Sequence, residues 1–259
     1  MTEPVLDPLA ALDDAVKAGE NKNAAKVGSS RPATLLYTYG PGSVMDLPNF
    51  SVMMGGLEAF DRIWKRRPGG NLTIHAPRLL DAVRSQLGPQ VLELRPFPWQ
   101  ATDSKAANES RDLGVPARVW PQWLRCTGCD LLAPLDAFTY RNTNPFRPDL
   151  AEFVHAPCPG RQGGGRSKSR PANPARYLVT CTAGHLDEIP YDAWVHHGNP
   201  CAAERPVLRM RQNTLGKGAN ATIECSSCQK KRGMNEAQGS PGFDKLPFCR
   251  GRMPHLDWF

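Results

Sequence analysis

Two short turns, Cys126-Thr-Gly-Cys129 and Cys225-Ser-Ser-Cys228, constrain this chain more than any other feature of it. A two-residue spacing lets both thiolates of a tight turn face one ion, and tetrahedral zinc takes four such ligands with sulfur about 2.3 Å from the metal. Each pair therefore needs two further ligands. The other cysteines, Cys158, Cys181, Cys201 and Cys249, supply them, and the eight divide evenly between two sites. Chain order groups Cys126, Cys129, Cys158 and Cys181 into one site and Cys201, Cys225, Cys228 and Cys249 into the other. His185 lies four residues beyond Cys181, and His196 and His197 lie close before Cys201, so a histidine can displace a cysteine in either site. Interleaved ligand pairs, as in cross-braced zinc domains, are a further arrangement. The expected cofactor is zinc, as one or two structural ions, because closed four-ligand sites leave no position for water and hold small turn-rich modules together.

Two competing uses of these cysteines are weaker. Cys181 and Cys201 can serve as buried small apolar residues. Redox chemistry is disfavoured because neither Cys-x-x-Cys sits at a strand-to-helix junction of a βαβ unit. The opening, MTEPVLDPLAALDDAV, has neither a basic segment nor a long apolar segment, so the expected compartment is the reducing cytoplasm, where thiols serve metals rather than disulfides. No apolar run approaches the length of a membrane span.

All eight cysteines fall within residues 126–259, which are also the more basic part, carrying +5 of the net +7. With 25 prolines and 23 glycines, many turns and few long helices are expected. The expected fold is α+β: a small mixed front domain followed by a cysteine-rich, zinc-stapled module of short strands and turns. Residues 1–30 read as a helix, with Val5, Leu9, Leu12 and Val16 on one stripe, and a linker. Residues 31–119 read as the front domain, in which Gly40-Pro41-Gly42 separates two apolar runs as strand–turn–strand. Helices are expected over 57–64 and from Pro77 to a stop at Gly88, with Leu80, Val83 and Leu87 in helical register. A short strand is expected at 91–94, and residues 101–114 are polar. Residues 120–259 form the module, with strands at 177–180, 207–210 and 221–224 and a flexible basic loop at 159–175.

Catalytic signatures are missing. Gly40-Pro41-Gly42-Ser43 lacks the Lys-Ser/Thr ending of a phosphate-binding loop, and His185-Leu-Asp-Glu188 matches no zinc-hydrolase motif. His185 reads as a packing residue beside a zinc turn, and Asp187 and Glu188 as helix caps. Nucleic-acid contact is the better match to the charge. Arg161, Arg166, Lys168 and Arg170 occupy the basic loop, and Lys230, Lys231 and Arg232 follow Cys228 closely. Such cations bind phosphates with salt-dependent, sequence-indifferent affinity. Trp120, Trp123, Tyr140, Phe146 and Trp194 can stack on single-stranded bases, although aromatic residues at this density more often form core.

Three stretches carry a family resemblance. Arg31 to Pro48, RPATLLYTYGPGSVMDLP, is similar to the opening signature of DrmB-type proteins, components of the DISARM bacterial anti-phage system. Arg176 to His196, with Cys181, Gly184-His185-Leu186-Asp187 and Trp194-Val195-His196, resembles that family's central motif. Cys249 to Leu256 resembles its Cys-x-Gly-x-x-Pro-Trp-Leu ending. The chain departs from the pattern at Glu188, Tyr191 and His255. The resemblance implies a non-catalytic accessory subunit that pairs with a DrmA-type helicase and helps the complex engage DNA. A free-standing zinc-dependent DNA-binding module is the alternative. Family members run further past the last cysteine motif, so the resemblance also implies the N-terminal part of a longer protein or a truncated member.

Overall fold

The computed structural model of the chain describes residues 32–66, 73–96, 114–144, 148–161, 168–212 and 220–256. The helix expected over 5–16, the linker at 20–30 and nearly all of the polar stretch at 101–114 lie outside them. Among the described residues the fold is mixed but mostly sheet, and every strand pairing is antiparallel.

Pro32–Tyr37 forms a short helix, α1, so the first apolar run is helical and not a strand as expected. The hairpin begins after the glycine turn, where Ser43 Oγ donates to Gly40 O at 2.6 Å. It pairs β1 (Val44–Asp46) with β2 (Ser51–Met54), and β3 (Ala117–Val119) adds to the other edge of β2. Every residue of β2 is buried, which is why it reads as an unbroken apolar run rather than an alternating one. Helix α2 spans Leu57–Arg66 and α3 spans Pro77–Leu87, with Pro in its first turn and Gly88 (φ 97°) as its stop. No strand forms at 91–94. Its carbonyls instead accept from Arg84 and Ile74, tying an extended segment to α3.

Eight strands make the principal sheet: β4 (Trp123–Cys126), β5 (Leu131–Pro134), β6 (Thr139–Arg141), β7 (Glu152–Cys158), β8 (Lys168–Pro174), β11 (Leu208–Gln212), β12 (Ala221–Cys225) and β13 (Lys231–Gly233). Their order is β13-β12-β11-β5-β4-β8-β7-β6. β9 (Leu178–Thr180) and β10 (Leu186–Glu188) form a separate hairpin, followed by helix α4 (Tyr191–Val195). A last short helix, α5, covers Ser240–Phe243.

The basic loop expected at 159–175 is corrected here, since its second half is the interior strand β8, paired with both β4 and β7. Its composition hides this because Ala172 is its one buried residue, with Pro174 half-buried and the rest exposed. The strand is held by backbone pairing instead: Pro171, which cannot donate, still accepts from both the amide and the hydroxyl of Thr127.

Two cores underlie the sheets. One joins Phe50, Val52, Met54 and Val119 of the front to Leu124, Cys126, Cys129, Phe153, Cys158 and Ala172 of the back. Phe50 meets Phe153 edge-on at 5.3 Å, so front and back share one apolar interior. The other core gathers Leu132, Ile189, Tyr191, Trp194, Met210, Ile223 and Cys225.

Candidate metal centres

The two Cys-x-x-Cys turns have nearly the same backbone. Each links two antiparallel strands, β4 to β5 and β12 to β13. In each, the residue after the second cysteine takes positive φ (Asp130 61°, Gln229 67°). Its amide donates back to the carbonyl of the first cysteine, at 3.1 Å for Asp130 and 2.8 Å for Gln229. The turns differ at their third residue. Gly128 lies so close to β8 and Cys158 that a Cβ there would sit 2.6 Å from Arg170 Cγ and 3.0 Å from Cys158 Sγ. Ser227 faces outward instead, and its hydroxyl accepts from the amide of Val207 at 3.2 Å.

Around each turn a second pair of ligand atoms closes in. The first centre contains Cys126, Cys129, His155 and Cys158, and the second His196, Cys201, Cys225 and Cys228. Bonds of about 2.3 Å to sulfur and 2.0–2.1 Å to nitrogen put tetrahedral ligands about 3.8 Å (S to S) and 3.5 Å (S to N) apart. The observed separations fall close to these edges. Cys126 and Cys158 sulfurs are 3.7 Å apart, and Cys129 Sγ is 3.3 Å from His155 Nδ1. Cys201 and Cys225 sulfurs are 3.9 Å apart, and Cys228 Sγ is 3.2 Å from His196 Nε2. All eight cysteines are free, and these sulfurs lie far outside disulfide length. The clusters are placed to hold metal ions.

Supporting contacts orient the ligands. His196 is almost fully buried, and its Nδ1 is 2.8 Å from both the backbone and a side-chain oxygen of Asp192, which aims Nε2 at the sulfurs. The amides of Gly128 and Ala203 approach Cys126 Sγ and Cys201 Sγ at 3.3 and 3.5 Å. Burial pushes the Cys225 thiol up, but the amides of Cys228 and Ser227 outweigh it and bring the group down to about 7. Burial, aided by the neighbouring Cys126 and Cys158, pushes Cys129 up to about 12. A cation among them would favour the charge state in which all four ligands bind metal.

The grouping expected from chain order is corrected at two positions. Cys181 and Cys249 join neither four-ligand centre and instead meet each other and His185. His155 and His196 take the vacated places. His196 was weighed from its proximity to Cys201. His155 was missed, although His155-x-x-Cys158 is itself a ligand spacing. The cause is topology: β7 reaches the first turn across β8, whereas Cys181 sits on a different hairpin. His185 is a cluster member and not only a packing residue. Nor do the carboxylates beside it cap a helix. Asp187 pairs with Arg250 through two contacts, 2.6 and 2.7 Å, and Glu188 accepts from the Trp123 amide at 2.9 Å.

Burial raises the Glu188 carboxyl from 4.5 to about 7, against the opposing amides of Trp123 and Gln122. The folded chain therefore keeps a proton that the unfolded chain loses above about 4.5. The group's contribution is full below that pH and fades as pH rises through about 7, on the order of 3 kcal/mol in all. Glu188→Gln is expected to remove this decline. Urea midpoints of the two proteins at several pH values between 5.5 and 8 should diverge, with only the wild type falling. Parallel curves would rule the effect out.

The cations expected to meet nucleic acid are scattered in role. Arg232 is buried, with its guanidinium 3.7 Å from the centre of the Trp194 ring and bonded to Glu236. Arg161 makes two contacts to Asp130, and Lys231 pairs with Glu224. Lys168, Arg170 and Lys230 are exposed. Trp120 and Trp194 are core residues, and Trp123 and Tyr140 are part-buried against aromatic neighbours. Arg166 and Phe146 lie outside the described residues.

Residues 31–258 match the model of a family described as a domain of unknown function, DUF8724. The chain belongs to that family. Within this DUF8724 chain, 87 residues are 28% identical to DISARM protein DrmB of Bacillus paralicheniformis, covering 34% of the chain and 15% of DrmB's length. Thus the chain matches only a small part of that relative. Among the described residues no helix is long and apolar enough to cross a membrane.

Proposed function

We propose that this chain is a non-catalytic, zinc-stapled accessory module of an anti-phage defence complex, pairing with a DrmA-type helicase and helping it engage DNA. The observation that carries the proposal is the tetrahedral spacing of the two four-ligand clusters, each built into one of the two cores. Thiolate-rich centres of this kind suit zinc, and with all four positions filled from the chain they leave none for a substrate. They hold the sheet in shape and perform no chemistry. The likeness to DrmB supports the defence context, and the two motifs around Cys181 and Cys249 support the family relation.

Lys168 and Arg170 on β8 and Lys230 beside the second turn are the exposed cations that can reach phosphates, whereas Arg232 serves the core. Metal analysis of the purified chain should give zinc in at least two equivalents, and none would overturn the proposal. DNA affinity should fall steeply with salt, and Lys168→Ala with Arg170→Ala should lower that salt slope by about one per cation removed. A salt-independent or absent affinity, with or without the helicase, removes DNA contact from the proposal. Co-elution with the helicase distinguishes a subunit from a free-standing module.

A further inference from the structure

The third cluster differs from the other two in ways that bear on its chemistry. Cys181 Sγ lies 3.3 Å from His185 Nδ1, and Cys249 Sγ lies 3.5 Å from the same nitrogen. Both separations match the roughly 3.5 Å sulfur–nitrogen edge of a tetrahedral zinc site. We propose that Cys181, His185 and Cys249 hold a third divalent metal ion whose fourth coordination position is open to a ligand from solution.

The ligands are organised before any ion arrives. Cys181 and His185 bracket the turn of the β9–β10 hairpin, closed by Cys181 N to His185 O at 3.2 Å and Gly184 N to Cys181 O at 3.0 Å. Cys249 comes from a segment 64 residues beyond His185. That segment is fastened by the double contact between Arg250 and Asp187, by Arg252 at 3.6 Å from Asp187, and by Leu186 N donating to Arg252 O at 3.1 Å. The amide of Gly251 approaches Cys249 Sγ at 3.4 Å, the same support that Gly128 gives Cys126 in the first centre. An amide aimed at sulfur favours the thiolate, the form that binds metal.

Among the described residues no fourth ligating side chain completes this cluster, which leaves the fourth position open. All eight cysteines and all six histidines lie among the described residues, and no fourth such side chain joins this cluster. His255, the nearest in sequence, packs its ring against Gly42 instead. None of the three ligands is buried, whereas the four-ligand centres each bury at least two. A borderline-soft ion with two thiolates and one imidazole completes its tetrahedron with water, and water exchanges for an added imidazole or thiol. Exposure also lets a chelator attack this ion directly, so it leaves ahead of the others.

The test uses the full chain loaded with zinc and, separately, with cobalt(II), whose visible spectrum reports its ligands. The wild type is expected to bind three ions, releasing one to a chromogenic chelator well before the other two. Cys249→Ser and His185→Gln, both at part-exposed or exposed positions, should each hold two ions with only the slow release. Added imidazole should shift the cobalt spectrum of the wild type and leave that of the variants unmoved. Saturation of the wild type at two ions, unchanged by Cys249→Ser, overturns the third site while leaving the four-ligand staples intact. Three ions released in one phase with no response to imidazole overturns the open position. Binding of no metal overturns both this site and the staples.

Discussion

Chelating the metal is expected to unfold the front of the chain together with the cysteine-rich back. The sequence alone favours the opposite, a front domain at 31–119 that survives while residues 120–259 melt. The shared core changes this expectation. Phe50, Val52, Met54 and Val119 bury their side chains against Leu124, Cys126, Phe153 and Ala172, and three ligands of the first centre are members of that same cluster. Structural zinc contributes about 10–16 kcal/mol to folding in small metal-bound domains, as much as or more than the 5–15 kcal/mol net stability of a typical domain. Losing it removes the ion that ties the β4–β5 turn to β7, and the pairing through β8 is left to hold that corner of the core alone. Trp120, almost fully buried at the end of β3, reports on the front, and Trp194 reports on the second core. Both should move to a solvent-exposed emission on chelation, in a single transition, with protease cleavage inside 44–54 as well as beyond 120. Cys126→Ser should give the same outcome without chelator. A Trp120 environment unchanged after complete metal removal would falsify the shared-core account.

What the sequence reveals and what it hides follow from the range over which each signal acts. The Cys-x-x-Cys turns are legible because both ligands and the left-handed residue behind them lie within five positions. Helix α3 is legible for the same local reason, a proline start, an apolar repeat and a glycine stop. Strands β11 and β12 show apolar alternation or a short apolar run, and they occur where expected, longer by one or two residues at the C-terminal end. Which cysteines share an ion is a property of strand order, and nothing near Cys158 states that β7 will lie beyond β8 from the first turn. β8 itself is hidden because a strand with one buried residue looks like a loop by composition. His155 and His196 become ligands through that same topology. Their sequence spacing permits the role without requiring it.

Arg232→Ala is expected to destabilise the chain by about 3 kcal/mol while leaving any DNA affinity of the folded protein unchanged. In the sequence Arg232 closes a basic run with Lys230 and Lys231, the pattern of a phosphate-binding patch. Strand alternation separates them: on β13, Lys231 faces solvent and Arg232 points into the second core. There its guanidinium stacks on Trp194, donates to the Trp194 carbonyl at 3.0 Å and pairs with Glu236 at 3.2 Å. A charge-assisted hydrogen bond contributes about 1.5–3 kcal/mol and a desolvated cation–π contact up to about 2 kcal/mol, whereas the pair to the part-exposed Glu236 adds little. Truncation also takes one of two donors from the Trp194 carbonyl, leaving the His197 amide at 3.2 Å, and so loosens the end of α4 that leads into His196 and, with it, the second metal centre. Lys230→Ala, on an exposed side chain, should change stability by less than about 0.5 kcal/mol and is the variant in which a DNA effect should appear. Denaturant midpoints and salt-dependent DNA titrations of the two variants separate the roles. Equal, small stability changes for both would mean that Arg232 does not hold the second core, and a selective DNA defect in Arg232→Ala would return it to the surface.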